Sequence, residues 1–159
     1  MIRVGNGIDV HAFEHGVPLW LGGVHIPHDR GLAGHSDGDA AVHALIDAML
    51  GAAGRGDIGD WFPSTDNSFR RAHGTDLLRH VWKTLEADGW QLENADLTVV
   101  CAEPRLAPHR SAMRRALATA LSCPAEAISL KATTTDRLGF LGRAEGVLVL
   151  ATVLLSKED

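Results

Sequence analysis

The sequence holds no apolar run long enough to cross a bilayer. Its longest, Val147 to Leu155, is nine residues with a threonine inside, where about 20 are needed. Cysteine is scarce: Cys101 and Cys123 are the only two. Two cysteines make no disulfide framework, and a reducing compartment is the default expectation. Basic charge is not in excess either. Lys and Arg number 15 against 20 Asp and Glu, a formal net charge of −5. That argues against a general nucleic-acid binder, whose basic face would release counterions. The opening stretch MIRVGNGIDVH has neither an apolar core nor a cleavage-site pattern, so no secretory leader is expected. No internal repeat or low-complexity tract stands out. These absences leave a soluble cytoplasmic protein with no membrane or nucleic-acid partner. An anionic small substrate would need local help from metals, Lys or Arg.

What is present is a globular composition. Hydrophobic residues make up 45% and charged residues 22% of 159 residues, enough for one domain over residues 1–159 with a real core. Five strands are expected: Arg3–His11, Pro18–Ile26, Asp96–Ala102, Ile128–Thr134 and Gly146–Leu155. The last is apolar at nearly every position and so should be covered on both faces, by helices and by another subunit. Three helices alternate with the strands. The first runs from Gly38 to Leu50, with Ser36 or Asp37 as a candidate cap. The second follows Thr75 as candidate N-cap and stops at Gly89. The third has Pro108 in its first turn. The class is α/β (α+β), a mixed sheet packed by about three helices. Residues 51–73 lack periodicity, and a loop that long is functional or mobile.

Residues two apart on a strand share a face. In GIDVH, Asp9 and His11 therefore project together, and Ile8 and Val10 are expected in the core. An isolated D-x-H is ordinarily a satisfied surface pair. The next segment alters that reading. GHSDGDAAVHALID gathers His35, Ser36, Asp37, Asp39, His43 and Asp47 at one helix start. Asp39, His43 and Asp47 form one stripe, and His43 borders the apolar one. Asp9, His11 and His43 supply two imidazoles and a carboxylate, the composition of an open zinc or transition-metal site. The strand and the helix are over thirty residues apart, so spacing by itself does not bring the three together.

Five longer pieces then resemble a known family. GIDVH, LGGVHIPHDRGLAGHSDGD, VHALIDAMLGAAGRGDIGDWFPSTD, EPRLAPH and KATTTDRLGFLGRAEG run from end to end. In this order they are similar to the 2-C-methyl-D-erythritol 2,4-cyclodiphosphate synthases of the non-mevalonate isoprenoid pathway. The resemblance implies a homotrimer with active sites between subunits. It implies conversion of a CDP-linked methylerythritol 2-phosphate to a cyclic diphosphate with release of CMP. It assigns Asp9, His11 and His43 to a divalent metal, usually zinc. Asp136, where relatives more often carry Glu, would ligate a second ion, Mg²⁺ or Mn²⁺, on the substrate's diphosphate.

By the same resemblance His35 and Thr134 stabilise the transition state, and Asp9, Val10, His11 and Ser36 meet the substrate. Asp57, Ile58 and Gly59 would touch the ribose. Phe62, Pro63, Ser64, Thr65 and Asp66 would line the methylerythritol phosphate, with Ser64 where relatives often have Asp. Cys101, Ala102, Glu103, Pro104, Arg105, Leu106 and Ala107 would surround the cytosine, largely through backbone groups. Thr133, Thr134, Thr135 and Asp136 complete the diphosphate contacts. Phe140 and Arg143 would line a cavity on the trimer axis that takes an isoprenoid diphosphate; the plainer reading is an Arg143–Glu145 pair between subunits. Loop 57–70 is expected to act as a lid. Two rival functions stand beside this: a zinc-dependent phosphoester hydrolase using the same Asp9, His11 and His43, and a non-catalytic nucleotide- or metal-binding module or structural trimer.

Overall fold

Every second residue of the first strand faces a helix, and two of those residues are glycines. The computed structural model of the protein describes residues 1–70 and 72–158. Its elements follow in the order β1 (Ile2–His15), β2 (Leu19–Leu21), β3 (Val24–Ile26), β4 (Arg30–Leu32), α1 (Ala40–Ala53), α2 (Ile58–Trp61) and α3 (Gly74–Ala87). Then come β5 (Trp90–Val100), α4 (Arg110–Ala120), β6 (Ile128–Thr133), α5 (Gly139–Gly142) and β7 (Gly146–Lys157). A Cβ on Gly5 would lie 1.9 Å from the Ala48 carbonyl oxygen, and one on Gly7 1.9 Å from that of Ala44. Only glycine lets α1 sit this close to the strand backbone. Asp9 and His11 continue the same face beyond the glycines.

Five strands form one sheet in the order β4-β1-β7-β5-β6. All neighbours are antiparallel except β5 and β6, which are parallel. The mixed sheet matches the expected class. Three long helices are present as expected, and α2 and α5 add single turns. Pro18–Ile26 is not one strand. Gly22 and Gly23, with φ of +59° and +75°, fold it into the hairpin β2–β3. Strand β5 begins earlier than expected because a register shift between Leu92 and Asn94 interrupts its pattern. Strand β4 spans three residues, too short to leave a period. Thr75 is not a cap, since α3 starts at Gly74 after His73.

The cap of α1 is Asp39, not Ser36 or Asp37. It is fully buried. Its carboxylate accepts from the backbone N–H of Val42 at 3.1 Å, Gly22 at 2.8 Å and Gly23 at 2.7 Å. One side chain thus caps the helix and fastens the hairpin to it. Burial pushes the pKa of Asp39 up, and the three N–H bonds act against that.

Helices α1, α3 and α4 cover one face of the sheet. Leu45, Ile46, Met49, Leu78, Leu85, Met113 and Leu117 are fully buried there, against Leu97, Val99, Val149 and Ala151 of the sheet. The opposite face carries Val4 (63% exposed), Ile8 (59%), Val10 (46%) and Leu150 (41%). Ile8 and Val10 are therefore not core residues in one chain. The alternation holds, but the helix lies over the polar pair and the apolar pair faces away from it. Likewise β7 has helices on one face only. Among the described residues no helix is long and apolar enough to cross a membrane.

Candidate active site

Asp9, His11 and His43 converge. His11 Nε2 lies 2.7 Å from Asp9 Oδ2. His43 Nδ1 is 3.2 Å from the same oxygen and 3.3 Å from His11 Nε2. One ligand atom from each lies within 4.8 Å of the others. The side chains are only 25%, 15% and 12% exposed. Strand alternation aims the first two at α1, and His43 stands one turn inside that helix to receive them.

The outer nitrogens settle what the inner ones can do. His11 Nδ1 donates to the Ala33 carbonyl, an acceptor only, so Nε2 presents a bare lone pair to the centre. His43 Nε2 lies 2.9 Å from Ser36 Oγ. The hydroxyl can accept from Nε2–H, leaving Nδ1 bare as well. Two imidazole lone pairs and a carboxylate oxygen then face one point, and something positive must sit among them. Protons supply this in part. Burial alone would raise the pKa of Asp9, but bonds from His11 and His43 outweigh it and hold the carboxyl at about 2. Burial acts to lower the pKa of His11, yet its bond to Asp9 prevails and raises it. The donor set and the anchored outer nitrogens fit a divalent cation with an open fourth position.

A cavity of about 200 Å³ opens beside His43. His35, Ser36, Ile58, Gly59, Phe62, Pro63, Ser64 and Asp66 line it, as do Asn67, Phe69, Arg70 and Leu77. Its outer wall is the segment expected to be an aperiodic loop, and capping orders that segment. Asp57 accepts from Asp60 N–H at 3.0 Å, and Asp60 accepts from Asp57 N–H at 3.3 Å. Asp66 accepts from Ser68 N–H at 2.9 Å. Neither Asp57 nor Thr65 lines the cavity. Phe62 meets Phe69 edge to face at 5.0 Å. Phe69 and Arg70 are not marked by the sequence pattern; an aromatic and a cation closing the polar stretch STDNS are the available signal. Asp47 accepts from Ile58 N–H at 2.7 Å and so pins the start of α2 to α1. Burial raises the pKa of Asp47. The stripe Asp39, His43, Asp47 thus divides its work among hairpin, triad and loop.

The remaining expected residues lie elsewhere. Cys101 N–H donates to Thr133 O at 3.1 Å, which joins the 101–107 segment to the end of β6. Burial, then the charge of Glu103, pushes the Cys101 thiol up to about 11, so it is no nucleophile. Glu103 is held by Arg30 at 2.5 Å. Ala102, Thr134, Asp136, Arg137 and Gly142 line a second cavity of about 510 Å³. In register, Val10 stands opposite Leu148, Leu148 opposite Val100, and Val100 opposite Thr133. Three steps across the sheet, roughly 14 Å, separate the triad's strand from Thr133. The expected site residues therefore fall into two separate groups in one chain. Arg143 Nε donates to Glu145 Oε1 at 2.7 Å within the chain, and Phe140 is 43% exposed.

A YgbB family model matches residues 2–156. The chain is 53% identical over 157 residues to a 2-C-methyl-D-erythritol 2,4-cyclodiphosphate synthase of Alcanivorax borkumensis, covering 99% of this chain and 98% of the relative. It is 48% identical over 158 residues to a bifunctional enzyme IspD/IspF of Erythrobacter litoralis and spans 41% of that longer relative. A solved 2C-methyl-D-erythritol-2,4-cyclodiphosphate synthase in its CDP-bound form superposes with a TM-score of 0.88 at 41% identity, covering 97% of this chain and 100% of that one. The hydrolase alternative finds no support in these likenesses. Matched along nearly its whole length in both sequence and fold, the chain belongs to the YgbB family, that of the 2-C-methyl-D-erythritol 2,4-cyclodiphosphate synthases.

Proposed function

We propose that the protein converts 4-CDP-2-C-methyl-D-erythritol 2-phosphate to 2-C-methyl-D-erythritol 2,4-cyclodiphosphate, releasing CMP, in the non-mevalonate isoprenoid pathway of the cytoplasm. The convergence of Asp9, His11 and His43 beside a cavity carries the reading. An oxygen of the 2-phosphate bonds to the β-phosphorus. The bond from that phosphorus to the bridging oxygen breaks, and CMP leaves with it, as in a phosphorus–oxygen lyase. The nucleophile is already an anion at neutral pH, so no deprotonating base is needed. What remains is to neutralise charge and hold an in-line geometry. A divalent cation on the triad, Zn²⁺ by ligand type, and a second, Mg²⁺ or Mn²⁺, on Asp136 with the diphosphate, would supply charge neutralisation at phosphoryl oxygens. His35 and Thr134 stabilise the transition state, and Ser36 contacts a phosphate. Residues 57–59 hold the ribose, 62–66 the methylerythritol and 101–107 the cytosine.

The two half-sites are joined between subunits of a homotrimer. Support comes from their separation across the sheet and from the open apolar face bearing Val4, Ile8, Val10 and Leu150. On the trimer axis Phe140 and Arg143 would meet an isoprenoid diphosphate, which should then raise the melting temperature. Phosphorus NMR with the CDP substrate and Mg²⁺ tests the reaction. A cyclic diphosphate with stoichiometric CMP is expected; linear products alone would sink it.

A further inference from the structure

At the end of β6 the chain makes a turn that its own residues disfavour. Leu138 N–H donates to the Thr135 carbonyl at 3.0 Å. The two residues between, Asp136 and Arg137, have φ of +52° and +70°. Positive φ at both central positions marks a type I′ turn, where Asn or Asp is usual first and Gly second. Asp136 suits its place. Arg137 stands where glycine belongs, and its Cβ crowds the backbone there. The surroundings impose the strain. A Cβ on Gly142 would sit 2.2 Å from the Arg137 carbonyl carbon and 2.6 Å from its Cα, so α5 backs directly onto Arg137. Strain of this kind persists where neighbours over-determine it and gathers at ligand sites.

The guanidinium is also uncommitted. Arg143, in the same loop, is paired with Glu145. Arg137 makes no hydrogen bond or ion pair among the described residues. The carboxylate beside it accepts from Thr134 Oγ1 instead, at 3.4 Å. Arg137 lines the 510 Å³ cavity together with Ala102, Thr134 and Asp136.

We propose that Arg137 is an anion-binding residue of the nucleotide half-site, holding a phosphate of the bound nucleoside diphosphate. The inference rests on the function proposed above. The cavity begins at Ala102, in the segment given to the base, and ends at Thr134 and Asp136. Phosphates of a nucleotide seated there run toward the strained turn. Asp136 by itself repels them. Arg137 offsets that charge and offers a planar fork of N–H donors matched to phosphate oxygens. When CMP departs, the same fork meets the charge gathering on its phosphate. A glycine would satisfy the turn and supply none of this.

The test compares Arg137→Gly, Arg137→Ala and Arg137→Lys, with the exposed Arg79→Ala as a charge control. CDP affinity by calorimetry and KM for the CDP substrate are the readouts. The glycine and alanine variants should each weaken CDP and raise KM by about tenfold. Lysine, which keeps the charge but not the fork, should fall between alanine and wild type, and Arg79→Ala should match wild type. Arg137→Gly should melt at or above the wild-type temperature, because its backbone is relieved. A glycine variant with that gain and with unchanged CDP affinity and KM overturns the proposal, since Arg137 would then be a turn residue only. A wild type that binds CDP through Arg137 but forms no cyclic diphosphate refutes the reaction and leaves the anion site standing.

Discussion

The Asp9–His11–His43 triad and the Thr134–Arg137 turn are built in opposite ways. The triad stands on the sheet's helix-covered face, its side chains at most a quarter exposed, and both histidines are anchored by a second bond, to Ala33 and to Ser36. The Thr134–Arg137 turn is largely exposed and bonds mainly within itself, through Thr135 Oγ1 to Leu138 O and Asp136 N–H to Thr134 Oγ1. A metal site tolerates little positional error, so its ligands sit on a strand and a helix with a supporting shell. On the proposed function the turn admits a nucleotide, and such a surface stays open until the ligand arrives. The triad is complete within one chain, and the turn presents its polar groups to solvent.

Removing a triad ligand should have the largest effect. Asp9→Ala or His43→Ala should lower cyclisation roughly 10³-fold or more, with circular dichroism unchanged and zinc content lost on elemental analysis. Ser36→Ala removes the partner of the outer nitrogen of His43 and leaves the three ligands in place; it should cost 10- to 100-fold in metal affinity, on the order of other second-sphere losses. Equal losses for Ser36→Ala and His43→Ala would erase the distinction between ligand and anchor.

Mixing asks whether the halves belong to one site. Asp9→Ala spoils the triad half and Thr134→Ala the turn half. Each variant alone should be nearly inactive. If sites form between subunits, co-refolding equal amounts gives about a quarter of sites with both halves intact, from random assortment in a symmetric oligomer. Activity that stays at the level of the separate variants would place both halves in the same chain. Ile8→Asp, on the open face, should abolish assembly and activity together, read by light scattering.

Much of this was legible in the residues. The period of two in GIDVH paired Asp9 with His11, and the acid and histidine density of GHSDGDAAVH located the helix partner. Sequence periodicity does not say which side of a strand a helix will cover. Here the glycines at 5 and 7, not the larger Ile8 and Val10, decided it, because close approach to α1 excludes side chains on that face. Loop 57–70 gave no period because local capping by Asp57 and Asp66 organises it, not burial. In the sequence Asp39 belongs to a polar stripe. Its fully buried position depends on a hairpin seventeen residues away, which no local pattern reports.

Asp39 fixes the hairpin beside the triad, whereas the Asp136 side chain bonds only to Thr134 within its own exposed turn. Asp39→Ala leaves the N–H groups of Gly22, Gly23 and Val42 without their acceptor and should cost about 3 kcal/mol. For a domain of this size the melting temperature should fall by roughly 6–12 °C. Asp136→Ala, in the exposed turn, should shift it by less than about 2 °C. Calorimetric melts of the two variants measure the contrast directly.

The smallest expected effect is on pH, followed here at the triad. Without metal, Asp9 is depressed from 3.8 to about 2, so its stabilisation is present above 3.8 and lost as pH falls toward 2. His11 is raised above 6.5, so its stabilisation is complete below 6.5 and lost as pH rises through the raised value. Both contributions coexist between those limits, and metal-free protein should be most stable to urea there. A divalent ion reverses the upper limb, because it needs the lone pair that the proton occupies. Zinc affinity should therefore climb as pH rises past the His11 value, and the loaded protein should not lose stability over the same range. A metal-loaded protein that followed the metal-free curve would mean the ion sits somewhere other than on His11.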